Sequence, residues 1–133
     1  MPAVLRRARP LPIRCPGPVR QSIVDALRLY TEVSYPPGCA DCALVAREAL
    51  LETARSLAAP GAQGLCTVEV NRHLRVLLKC AVNYYFDALA TQRGAPLEAQ
   101  RQLALDAVQG QEVSEQALRE AVARDAADQR PPG

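Results

Sequence analysis

The strongest constraint on how this chain can fold lies between Thr67 and Gly94, where Val70, Leu74, Leu77, Ala81, Tyr84, Tyr85 and Ala88 recur at helical steps. That spacing returns a side chain to one face of an α-helix at every turn, whereas in a strand it would scatter the apolar set over two faces. Thr67 is the expected N-cap, and Gly94 with Pro96 the stop, which predicts a helix over residues 67–92 about 39 Å long at roughly 1.5 Å per residue. A helix of that length is expected to be the central element.

Four more helices are predicted around it. Residues 19–34 place Val19, Ile23, Leu27, Tyr30 and Val33 on one face and stop at Pro36, Pro37 and Gly38. Residues 42–59 follow Asp41 as N-cap and turn Cys42, Ala46, Ala49, Leu50, Thr53 and Leu57 inward, with Arg47, Glu48, Glu52 and Arg55 opposite. Residues 96–109 begin with Pro96 in the first turn, bury Leu97, Leu103, Ala104, Ala107 and Val108, and end at Gly110. The last helix starts at Ser114, with Val113 and Leu118 in the positions of a hydrophobic staple. It is rich in Ala and poor in large apolar residues, so it is expected to dock least firmly and to project as a tail. No stretch is read as alternating with period two for long enough to make a strand. The expected fold class is therefore all-α: a compact bundle of about five helices around the long third one, in a chain of 133 residues with room for one such domain.

Residues 1–18 differ from the rest. Five prolines are spread among Arg6, Arg7, Arg9 and Arg14, so this segment is expected to be an extended, flexible arm that orders on a partner. The expected division is an arm over 1–18, a helical domain over 19–128 and a disordered tail over 129–133. Charge follows the same division: the first 24 residues hold five Arg and no acid, while residues 94–133 hold four Arg against seven carboxylates. A formal net charge of +2 is too small for a general polyanion binder. Fifteen Arg against one Lys, with 11 Pro, is the usage of a GC-rich genome, and five cysteines suit a GC-rich virus or a vertebrate nuclear gene.

Several function classes are disfavoured at once. No run of 18 apolar residues is present, so no membrane partner is expected, and 4% aromatic content without Trp does not suit a base-stacking sheet. The start offers no apolar core of a secretory signal, and the odd number of cysteines argues for reduced thiols, so the expected location is cytoplasm or nucleus. Mitochondrial import is the minority alternative: the Arg-rich start fits a presequence, but Pro10, Pro12, Pro16 and Pro18 would interrupt its helix. With one His and neither a phosphate-binding Gly loop nor a zinc-protease motif, the chain is not expected to be an enzyme.

Cys39 and Cys42 form a C-x-x-C pair at the start of a predicted helix. They would supply half of a tetrahedral metal site, but Cys66, His73 and Cys80 stand seven residues apart, about 10.5 Å along one helix, too far to share an ion. The cysteines are read as compact buried hydrophobes, and no cofactor is expected. Leu27–Arg28–Leu29–Tyr30–Thr31 resembles the Leu-Tyr-Arg motif of small three-helix mitochondrial assembly factors, with Thr31 where that motif has Arg. No family is assigned from it.

Arg72, Arg75, Lys79, Asn83 and Phe86 run along the third helix opposite its apolar stripe. They are expected to form an exposed docking strip with Phe86 as apolar anchor, joined by Arg6, Arg7 and Arg9 of the arm. The expected function is a non-enzymatic interaction, regulatory or adaptor protein whose partner is a protein with an acidic or helical surface. A small nucleic-acid-associated protein is the alternative, thiol redox or zinc binding comes third, and a homodimer through the long helix fits the modest core.

Overall fold

The computed structural model describes residues 8–59 and 65–128. Among them are two strands and five helices: β1 (Arg9–Arg14), α1 (Gly17–Ser34), α2 (Asp41–Ala58), β2 (Leu65–Val70), α3 (Arg72–Arg93), α4 (Glu98–Val108) and α5 (Glu115–Asp128). The protein is mostly helical, but the all-α expectation needs correction by a small antiparallel sheet.

The sheet forms because two short segments each alternate with period two. In β2, Cys66, Val68 and Val70 turn inward while Leu65, Thr67 and Glu69 face out; in β1, Leu11 and Ile13 turn inward at 3% and 1% exposure. The register sets Arg9 against Val70, Leu11 against Val68 and Ile13 against Cys66. Pro10 and Pro12 do not break the ladder. They share parity with Arg14, whose carbonyl turns away from β2 to accept the Val113 N–H at 2.8 Å, so their missing donors fall on the edge that β2 does not use. The arm expectation is thus corrected from residue 9 onward: β1 is held by β2 on one edge and by the α4–α5 connection on the other. Residues 1–7, with Arg6 and Arg7, lie outside the described residues, as do 129–133.

The same sheet shortens the long helix. Residues 67–70 are claimed by β2, and α3 starts at Arg72 with Asn71 as its N-cap, the Asn71 Oδ1 accepting the Leu74 N–H at 2.8 Å. The predicted stop holds: Gly94 takes the left-handed conformation at φ 73° that an αL cap requires. The buried face of α3 is Leu74, Leu77, Leu78, Ala81, Val82 and Phe86, so Tyr84 and Ala88 of the expected stripe are exposed instead.

The centre of the bundle is shared between α3 and α1. Helix α1 packs on α2, α3 and α4 and contributes Ile23, Ala26 and Leu27, all fully buried. Its Thr31 is buried too, and satisfies its hydroxyl by donating to the Leu27 carbonyl at 2.6 Å; Thr53 in α2 does the same to Ala49 at 2.8 Å. Asp41 is the first residue of α2 and not its N-cap, a place where its charge still favours the helix dipole. Helix α5 is not a projecting tail. It starts at the expected Ser114 cap, with the Ala117 N–H donating to Ser114 Oγ at 3.0 Å, and packs along α4 with Ala121 and Asp125 buried.

Candidate functional site

In an antiparallel pair, residues directly opposite each other project to the same side. Arg9 stands opposite Val70 and therefore shares the inward face of β1 with Leu11 and Ile13. At this end of the sheet the apolar core gives out, and Arg9 is exposed. One residue beyond Val70, Asn71 turns the chain into α3, whose first turn presents Arg72 and Arg75 as i,i+3 neighbours. The result is an open recess of about 290 Å³ lined by Arg9, Val70, Asn71, Arg72 and Arg75. Its cations come from elements about sixty positions apart in sequence, brought together by the β1–β2 register.

The recess arginines make no ion pair within the described residues. The ion pairs among the described residues are Arg47 with Glu32, Arg55 with Glu52, and Arg101 with Asp87 and Glu98; none involves Arg9, Arg72 or Arg75. The nearest acid in sequence, Glu69, pairs with Pro10 in the register and so projects from the opposite face of the sheet. Lys79 is exposed one turn beyond Arg75 and extends the positive surface along α3. Arg7 and Arg6 precede Arg9 by two and three positions.

The rest of the expected strip is not a surface. Phe86 is 3% exposed and packs edge-on against Tyr85, ring centres 5.3 Å apart. The cause is α4, which covers the second half of this side of α3: Arg101 donates to Asn83 Oδ1 at 3.1 Å and pairs with Asp87. Phe86 is therefore a core residue, and the strip ends after Lys79.

The sulfur-bearing and imidazole groups do not converge. Cys39 is half-buried in the turn before α2, the Cys42 side chain lies outside the described residues, Cys66 is buried in β2, and His73 and Cys80 are exposed on α3. Among the described residues no three His, Cys, Asp or Glu side chains are grouped as metal ligands. Cys15 is half-buried beside Cys66. Burial pushes its thiol up to about 11; Arg20 opposes that and Cys66 adds to it, so at neutral pH Cys15 is a thiol and a poor nucleophile. At the α1–α3 surface Tyr30 meets Tyr35 and Tyr84 with ring centres 6.1 and 6.0 Å apart. Burial also raises the Tyr35 hydroxyl above its ordinary pKa.

No described helix is long and apolar enough to cross a membrane. Compared with known proteins, the chain matches no family model, no curated protein and no solved structure.

Proposed function

We propose that the chain is a non-enzymatic interaction or regulatory protein that docks an acidic protein partner on the face formed by Arg9, Arg72, Arg75 and Lys79. One observation carries this reading: three arginines from two separate elements line one recess, and none has an acidic partner within the described residues. Holding like charges together is unfavourable without a counter-charge, and guanidinium groups recognise carboxylates and phosphates through forked, bidentate hydrogen bonds. The recess lining has no aromatic side chain on which a base could stack, which favours an acidic protein over a single-stranded nucleic acid.

Affinity capture on the wild type and on an Arg72→Glu, Arg75→Glu double variant, each with and without nuclease, tests it. The expected result is a partner retained by the wild type after nuclease treatment and lost by the variant, at unchanged helical content. Loss on nuclease treatment alone transfers the role to nucleic acid. Equal retention by both proteins rejects the face.

A further inference from the structure

We infer that the Arg9–Arg72–Arg75 recess recognises a single phosphoryl group, and that the partner's contribution to it is a phosphorylated serine or threonine side chain. The inference rests on the proposed docking face and narrows what that face reads. Arginines in a row along a flat helix suit a row of separate carboxylates. Here Arg72 and Arg75 approach from α3 while Arg9 approaches from the end of β1, so the three residues border one concavity that their flexible side chains can reach into. A phosphate monoester brings about 1.5 to 2 negative charges and three acceptor oxygens to one point, which is the chemistry that several forked donors around one recess can satisfy together. A carboxylate brings one charge and two oxygens and leaves part of that set unused.

Two features of the surroundings agree with a phosphorylated protein segment as the source. The recess is open, so a phosphorylated side chain can enter with its backbone remaining outside. The ladder that buries Leu11 and Ile13 fixes the face of β1 from which Arg9 projects, so the backbone positions that carry the three arginines are set before binding. A fixed backbone removes part of the ordering cost of binding. A nucleic acid would add phosphodiesters, each with one charge, and would need a longer positive track than the two turns of α3 that stay uncovered, from Arg72 to Lys79.

The test is a set of NMR titrations on the full chain, in an amine buffer at constant ionic strength, following the arginine Nε–H and backbone signals. Probes are inorganic phosphate, chloride, and a seven-residue Gly/Ser peptide bearing one central phosphoserine, compared with its serine and glutamate counterparts. Saturable shifts confined to Arg9, Arg72, Arg75 and residues 70–75 are expected with phosphate and with the phosphopeptide, and none with chloride. Single Arg9→Gln and Arg75→Gln variants should each weaken binding by about tenfold, the usual loss for one charge-assisted contact, while Arg119→Gln on α5 changes nothing. Phosphate shifting no more than chloride would overturn the phosphoryl assignment. In that event the docking face still stands or falls separately, by the charge-reversal capture. Binding of the glutamate peptide as tight as that of the phosphopeptide would also overturn it. So would a twenty-nucleotide single strand binding more tightly than the phosphopeptide, with a steep salt dependence, and the site would then be a nucleic-acid contact.

Discussion

The Asp125 carboxylate accepts the backbone N–H of Ala99 at 2.9 Å, and its second oxygen accepts the N–H of Gln100 at 3.0 Å, so α5 caps α4 from across a span of 26 residues. Helix α4 lacks a side-chain cap of its own, because its N-cap position is Leu97. Asp125 is 1% exposed, and the two donors it takes are among those that no helix can satisfy within itself. Replacing Asp125 by Ala leaves both N–H groups without their partner in a part-buried place. The expected loss is about 2 kcal/mol or somewhat more, seen as a lower denaturation midpoint with an unchanged slope. Asp125→Asn, which can accept only one of the two bonds, should lie between.

The N-terminal segment is predicted to be a structural part of the domain. Removing residues 1–15 strips Leu11 and Ile13 from the core and exposes the inward edge of β2. Truncating either side chain to Ala should cost about 2–5 kcal/mol, and both together should take a large share of a typical ~5–15 kcal/mol domain stability. Gly110 supports the same segment: its φ is 91°, and a methyl there would stand 3.1 Å from Leu11 Cδ1. Gly110→Ala should therefore destabilise by about 1–2 kcal/mol from backbone strain, with Leu11 having to shift as well. A deletion variant that melts like the full chain would refute this account of the arm.

Phe86→Ala should destabilise by about 3–5 kcal/mol, as a buried aromatic does, whereas Arg75→Gln on the exposed side of the same helix should stay within roughly 0.5 kcal/mol. Thermal or chemical denaturation of the two variants separates a core residue from a surface one.

Thiol reactivity should follow exposure and ionisation. At pH 8, alkylation followed by mass spectrometry is expected to modify Cys80 well before Cys15 or Cys66. Cys15 has its pKa raised by burial from 9.0 to about 11, so the folded state holds the proton that the unfolded chain releases. The resulting stabilisation is complete below pH 9 and is lost as pH rises through 11. Cys15→Ala should flatten this part of the stability curve between pH 9 and 11.

Much of the helical framework could be read from the chain, because its signals are local. Pro36 to Gly38 ends α1 by denying it donors and φ angles, Gly94 supplies a left-handed residue for the α3 stop, and Ser114 offers an oxygen to a nearby N–H. The sheet was harder to read. Val70 fits both the period-two set Cys66, Val68, Val70 and the helical set Val70, Leu74, Leu77, and nothing local chooses between them. The choice is made by β1, some fifty-five residues upstream, which offers β2 a ladder. In β1 the alternation of Pro10 and Pro12 with Leu11 and Ile13 carries the same period-two signal under a proline content that suggests an arm.

Helical character, the punctuation between helices and the placement of Arg72, Arg75 and Lys79 on one side of α3 are legible in the chain alone, since each depends on residues within a few positions of one another. The burial of Phe86 and the engagement of Asn83 by α4, the capping of α4 by Asp125 from another helix, and the meeting of Arg9 with Arg72 and Arg75 around one recess arise only when the elements pack. The physical reason is the range of the interactions. Periodicity and capping are fixed within a turn, but which face of an amphipathic helix is covered, and which distant cations meet, depend on strand register and on the element that packs across it.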